Sequence, residues 1–400
     1  MVQLTQNFQD GAPQIIDVPA LPAISGKARA RKPFILSLVH LPPPTTGVSM
    51  VSSLVMNSER LNSMFELKGL PLRSSESIEE IGSLGIKKII RILKIGKDLL
   101  RFCIFTKPDL VYFTLTPNGA AFYRDIFYVG ILKLTSVKRL YHIHAKEVPE
   151  SMLTPLGRSL QRWAFRGAKV IFLSPSIYKG FSKIVLRSNC YFLPNGIPDE
   201  AGPYPNGAGG KRDEDPPHIL FFSNIGVTKG PMILLRALGM LRKKGLQFRA
   251  SFAGHWESRK VEDQFYRLVE ENSLADVVEY RGPKFGDEKK SIFRSANIVA
   301  FPTYNDTFPV VILEAMSFSL PVVSTFEGAI PDIVVNNETG FLIPVKDAYV
   351  LAEHIELLMK KPSLARQFGK AGRTRFLEHF TYARFEDRLK DIFWRCTTFE

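Results

Sequence analysis

Cysteine is scarce in this chain of 400 residues. Cys103, Cys190 and Cys396 are far apart, odd in number and form no CxxC pair. That excludes a disulfide framework and a thiolate zinc site. It fits a reducing compartment, where free thiols are ordinary buried side chains. Long apolar runs are also missing. The uncharged span 33–58 is long enough to cross a bilayer, but Pro42-Pro43-Pro44 and Gly47 break it, so no membrane span is expected. Residues 1–31 lack the basic segment and apolar run of a secretory signal and read as a loose leader. A cytoplasmic chain, peripheral on the membrane face, is the expectation. Acids are sparse in the first half. Residues 1–200 carry 26 Lys+Arg against 14 Asp+Glu (+12) and residues 201–400 carry 27 against 25 (+2), which sum to the net +14. A basic half beside a near-neutral one points to an anionic partner. No RNA- or DNA-binding module pattern occurs, so nucleic acid is not expected.

What is present is globular. Hydrophobic residues make up 45% and charged residues 23%, which excludes a disordered chain. At roughly 100–200 residues per domain, the length implies two domains. Short apolar runs at 33–39, 109–115, 139–144, 169–174 and 190–193 alternate with amphipathic stretches at 84–105, 120–134 and 156–168. A connection rich in Gly, Pro and charge follows. The alternation then resumes, with strand-like runs at 218–223, 248–253, 277–280, 297–302, 321–324 and 340–343 between helical stretches. This pattern predicts an α/β chain of two Rossmann-like, doubly wound parallel-sheet domains facing across a cleft. The expected boundaries are a leader at 1–31, a first domain at 32–195, a linker at 196–217, a second domain at 218–380, and a last helix in 381–400 free to pack back on the first domain. Ligands of such sheets lie beyond the carboxyl ends of the strands, which places the expected site in the cleft.

Three loops carry chemistry. In Phe301-Pro-Thr-Tyr-Asn-Asp-Thr-Phe-Pro-Val-Val-Ile-Leu-Glu-Ala-Met316 a strand ends near Pro302 and a helix is expected to start near Pro309. Backbone N–H groups at that helix start suit a phosphate or sugar hydroxyls, and Asp306 and Glu314 suit vicinal hydroxyls. In Phe221-Phe-Ser-Asn-Ile-Gly-Val-Thr-Lys-Gly-Pro231, Lys229 stands before a helix start as a cation for an anionic ligand. The loop His40-Leu-Pro-Pro-Pro-Thr-Thr-Gly-Val-Ser49 holds Thr46 and Gly47, and Gly47 suits close backbone approach. His144 ends the run 139–144, with His142 two residues back on the same face. Asp213-Glu-Asp215 reads as a solvated turn in the linker rather than a metal site.

Taken together these segments resemble the family 4 glycosyltransferases, "glycosyl transferases group 1", which are retaining enzymes of the GT-B fold. Asp306-Thr-Phe-Pro-Val-Val-Ile-Leu-Glu-Ala-Met316 matches the family's E-x7-E spacing and Lys229-Gly230 its K-G pair. Pro321-Val322-Val323 and Thr339-Gly-Phe-Leu342 follow in the family's order, and Asn195-Gly196-Ile197 resembles its domain junction. The likeness is dense over 218–347 and thinner over 33–200. It implies a hexosyl transfer from a UDP- or GDP-sugar to a hydroxyl acceptor, lipid-linked or glycan, in polysaccharide or glycolipid biosynthesis. Glu314 would then bind the ribose, and Asp306 the transferred sugar with the N–H groups of Thr307, Phe308, Pro309 and Val310. Lys229 would neutralise the diphosphate, the loop of Thr46 and Gly47 would close over it, and Gly282-Pro283 would lie by the base. His144 would face the sugar. No metal or other cofactor is expected, because Lys229 and helix N-termini carry the leaving-group charge. Two departures stand out: Ser223-Asn224 replaces Gly-Arg, and Asp306 replaces a glutamate. They leave open a degenerate anion-binding scaffold, and the fold leaves open an epimerase or a sugar-phosphate synthase.

The basic first half resembles, in addition, the surface with which membrane-associated GT-B enzymes meet anionic lipid. Lys87, Arg91, Lys94 and Arg101 fall on one side of a helix, with Ile86, Ile89, Ile90, Leu93 and Leu100 toward the other.

Overall fold

A computed structural model describes residues 31–42, 47–72, 86–149, 154–202 and 216–398. Thr46 and Asp213-Glu-Asp215 lie outside these residues. The chain divides into two compact units. One is built from the described residues within 15–195 together with those from 383 onward, the other from those within 196–382.

The first unit runs through β1 (Phe34–Val39), α1 (Gly47–Met56), α2 (Glu59–Met64), β2 (Glu66–Pro71) and α3 (Ile86–Arg101). After a π-helical turn at Phe102–Thr106 come β3 (Leu110–Phe113), α4 (Gly119–Leu134), β4 (Arg139–Ile143), α5 (Pro155–Phe165), β5 (Lys169–Phe172), α6 (Pro175–Lys179) and β6 (Cys190–Phe192). Its six strands are parallel in the order β2-β1-β3-β4-β5-β6. The central strands read as continuous apolar runs because helices cover both faces; every residue of β1 and β3 is buried.

The second unit runs through β7 (His218–Phe222), α7 (Pro231–Lys243), β8 (Arg249–Ala253), α8 (Arg259–Glu271), β9 (Val278–Tyr280), α9 (Gly286–Ser295) and β10 (Ile298–Phe301). It continues with α10 (Val310–Ser317), β11 (Val322–Thr325), α11 (Ile330–Ile333), β12 (Gly340–Ile343), α12 (Ala348–Lys360) and α13 (Pro362–His379). The strand order is β12-β11-β10-β7-β8-β9, again all parallel. The winding direction reverses between β1 and β3 in one sheet and between β7 and β10 in the other. Each reversal splays two loops apart and opens a crevice at the strand ends.

The last helix, α14 (Tyr382–Thr398), lies on the first unit's sheet. Phe385, Leu389, Ile392 and Phe393 are buried. Phe393 meets Phe65 edge-on at 5.5 Å and Tyr112 at 5.4 Å. The Ser58 hydroxyl, which caps α2, donates to Glu386, and Arg60 pairs with Asp387 at 2.5 Å.

Helix α3 touches its neighbour along a narrow line. Leu99 and Gly96 are buried, and a Cβ at Gly96 would sit 2.5 Å from the Phe127 ring of α4. The apolar residues beside the cations remain in solvent: Ile86 is 79% exposed, Ile90 59% and Leu93 54%. Among the described residues no helix is long and apolar enough to cross a membrane.

Candidate functional site

The reversal between β7 and β10 brings together two of the loops singled out in the sequence. Thr228 is the knot. Its carbonyl accepts from the Tyr304 N–H at 2.9 Å and from the Thr303 hydroxyl at 3.1 Å. The Thr303 carbonyl in turn accepts from the Thr325 hydroxyl at 2.6 Å. Gly230 must take a left-handed turn, φ 82°, and a Cβ there would fall 2.1 Å from the Pro302 carbonyl oxygen. Gly328, at φ 54°, plays the same part on the other side: its Cβ would lie 2.2 Å from the Asp306 carbonyl.

This frame places Lys229 against Asp306. Lys229 Nζ donates to Asp306 Oδ2 at 2.6 Å and to the Asn305 carbonyl at 3.3 Å, and both side chains stay partly open to solvent. Lysine and acid, read as separate groups in the sequence, are one ion pair here. The N–H groups of Thr307, Phe308 and Val310 have no protein acceptor among the described residues. One expectation needs correcting. Pro309 has no N–H and donates nothing; it is the N-cap of α10, with φ −71° and ψ 113°, and the helix begins at Val310. The Phe308 side chain is buried and packs on Phe380, so only its backbone faces the crevice.

Glu314, on α10, is not free either. Its Oε1 accepts from Lys289 Nζ at 2.7 Å, and Lys289 also meets Glu200 Oε2 at 3.4 Å. Burial pushes the Glu314 carboxyl above the ordinary range, Lys289 pulls it back, and Glu200 adds repulsion. Burial works against the Lys289 ammonium as well, yet Glu314 and then Glu200 hold its pKa above the usual lysine value. Glu200 belongs to a strap, 196–202, fixed to this unit by Arg373. That guanidinium grips Asp199 through both nitrogens at 2.6 and 2.7 Å and donates to the Gly202 and Ser317 carbonyls.

Asn224 is exposed, and its carbonyl accepts from the Gly226 N–H at 2.9 Å. Gly282 turns at φ 66° after β9, with its carbonyl accepting from the Gly254 N–H at 3.0 Å; Pro283 beside it is half-buried. Sequence reading missed Lys289 and Glu200. Lys289 had a signal: it falls three and four residues before Ile292 and Phe293, the buried face of α9. A lysine at that apolar position needs an acidic partner. Glu200 had none.

In the first unit, Gly47 opens α1 in open space and is exposed. His144 follows β4, its ring 4.2 Å from that of His142. Tyr112 Oη lies 2.6 Å from His142 Nδ1. His142 is fully buried and His144 lies just past the strand's carboxyl end; Nε2 of each is buried and unpartnered among the described residues. Burial, then the His40 imidazole, lowers His144 to about 3; burial, then Arg124, lowers His40 to about 4. Burial also takes His142 well below its ordinary value. All three rings are neutral at pH 7. Among the described residues no group of three His, Cys, Asp or Glu side chains is arranged to hold a metal ion.

Residues 208–375 match the family described as "Glycosyl transferases group 1". Among characterised proteins, the chain is 31% identical over 159 residues to a D-inositol 3-phosphate glycosyltransferase of Paenarthrobacter aurescens, a stretch of 39% of this chain. The chain thus spans about two fifths, 39%, of that relative's length. Among solved structures, a glycosyltransferase from Rickettsia africae superposes with a TM-score of 0.73 at 17% identity, over 92% of this chain and 100% of the other. Anabaena Alr3699/HepE in complex with UDP superposes with a TM-score of 0.68 at 15% identity, over 91% and 99% of the two chains. The fold is therefore the two-domain α/β fold, GT-B, that these structures share.

Proposed function

We propose that the chain, whose residues 208–375 match the glycosyl transferases group 1 family, transfers a sugar from a nucleoside-diphosphate sugar to a hydroxyl acceptor, with retention of configuration. The observation that carries this reading is the cluster at the β7/β10 reversal: Lys229 on Asp306, three N–H groups without acceptors among the described residues, and Glu314 about one turn into α10. The structure in complex with UDP that shares the fold supports a nucleotide-sugar donor.

In this reading the ribose hydroxyls meet Glu314 and the sugar hydroxyls meet Asp306. The bond between the anomeric carbon and the β-phosphate oxygen breaks as the acceptor oxygen bonds to that carbon from the same face. The acceptor's proton passes to the departing diphosphate. Lys229 and the N–H groups of Thr307, Phe308 and Val310 take up the charge that develops, without a metal. The first unit, with His144, is assigned to the acceptor side. The exposed apolar and basic faces of α3 favour an anionic membrane surface and hence a lipid-linked acceptor for polysaccharide or glycolipid synthesis.

The test is binding before turnover. A UDP- or GDP-sugar at 100 times its Kd should stabilise the protein by about 2.7 kcal/mol, read as a thermal shift. Lys229→Ala and Glu314→Ala should each lower transfer about 100-fold or more while the unliganded melt stays cooperative. Undiminished turnover in either variant, or no thermal shift with any nucleotide sugar, rejects the assignment.

A further inference from the structure

Glu314 meets Lys289 with Oε1 2.7 Å from Nζ. The Glu314 side chain keeps 13% of its surface open to solvent, a margin through which a ligand can reach the carboxyl. A carboxylate this buried needs a counter-charge to stay ionised, and only an ionised carboxylate presents its second oxygen purely as an acceptor. We propose that Lys289 is a positioning residue of the donor site: by holding Oε1 it keeps Oε2 of Glu314 as the acceptor for a ribose hydroxyl, and so sets the preference for ribonucleotides. This rests on the assignment of the β7/β10 crevice to the nucleotide.

The electrostatics follow from three groups. Lys289 comes from α9, Glu314 from α10 and Glu200 from the strap at 196–202. The ammonium is shared unequally, 2.7 Å to Glu314 and 3.4 Å to Glu200. The strap residue is therefore a competitor: its negative charge both draws Lys289 away and repels a negative charge on Glu314. Arg373 holds the next residue, Asp199, and donates to the Ser317 carbonyl at the end of α10, so Glu200 is anchored rather than swinging. The arrangement predicts opposite signs for two substitutions. Removing Lys289 leaves Glu314 buried without a cation, and it takes up a proton at higher pH. Removing the charge of Glu200 gives Lys289 wholly to Glu314, and the carboxylate persists to lower pH.

Calorimetry with UDP and GDP, and with their 2′,3′-dideoxy counterparts, from pH 5.5 to 8.5 reads this directly. The wild-type chain should prefer the ribose form about tenfold or more across the range. Lys289→Met should lose about tenfold in ribonucleotide affinity at the acid end, recover toward pH 8.5, and bind dideoxynucleotides unchanged. Lys289→Arg should restore the wild-type profile, and Glu200→Gln should shift the acid limb to lower pH. Carboxyl 13C spectra of glutamate-labelled protein should show one carboxylate, absent in Glu314→Gln, whose midpoint moves up in Lys289→Met and down in Glu200→Gln. Wild-type pH dependence and sugar preference in Lys289→Met overturn the proposal while nucleotide binding itself stands. An equal, pH-independent loss of both nucleotide types there overturns it too, since that is the signature of a structural role only. A wild-type chain that binds no nucleotide overturns this inference together with the functional reading beneath it.

Discussion

Gly230 shows how little freedom the site leaves at single positions. Its left-handed turn and the Pro302 carbonyl behind it forbid a side chain on two separate grounds. Gly230→Ala is expected to cost about 2 kcal/mol or more and to weaken nucleotide binding with it, because Lys229 is the residue before. Chemical denaturation and nucleotide titration on the same preparation check both halves. At this scale the sequence was partly legible. The spacing of Asp306 and Glu314, and the lysine before a glycine and a proline, mark a site without any coordinates. What spacing does not carry is pairing. That Lys229 lies on Asp306, and Lys289 on Glu314, depends on α9 and two strand-end loops meeting in space. Nor does a motif's family role check each donor: Pro309 sits in the right place and has no proton to give.

Among elements, the strands and helices that pack on both sides were legible because burial imposes a pattern. The edge strand β2 was not, although the runs at 190–193, 277–280 and 340–343 marked the other edges, β6, β9 and β12. β2 reads Glu-Leu-Lys-Gly-Leu-Pro, half-exposed, with charges, a glycine and a terminal proline, the features that blunt a sheet edge. The short helices α1 and α2 before it went unread as well, because Gly47 and the prolines ahead of it look like a loop. For α3 the periodicity was visible but not which face meets the protein. The Gly96–Leu99 line does, and the isoleucines do not. Hence Ile90→Asp combined with Leu93→Asp is expected to leave the melting temperature nearly unchanged. It should lower co-sedimentation with vesicles rich in anionic lipid about tenfold, and raised salt should weaken the wild-type protein's binding to the same vesicles. Equal sedimentation of wild type and variant at low salt argues against a lipid role for this helix.

For the molecule as a whole, acid should act on the two units unequally. His40, His142 and His144 all belong to the first, and each binds its proton less readily folded than unfolded. Between their unfolded pKa near 6.5 and their folded values, the unfolded chain holds more protons. Stability contributed by the neutral rings is therefore complete above pH 6.5 and drains away as pH falls toward 4 and 3. Asp125, raised to about 6 by burial against the pull of Arg124, has the opposite slope over part of that window, but it is one group against three. Hydrogen exchange at pH 7 and pH 4.5 should show β1–β6 losing protection well before β7–β12 does; uniform loss across both sheets would count against it.

The path of the chain has a consequence for synthesis. Residues that open the first sheet leave the ribosome with Phe65 and Tyr112 awaiting Phe393, a partner more than 280 positions downstream of either. The whole of the second sheet is made in the interval. The domain begun earliest is thus the one finished latest, and its nascent form must carry a bare aromatic seam until α14 arrives to close it.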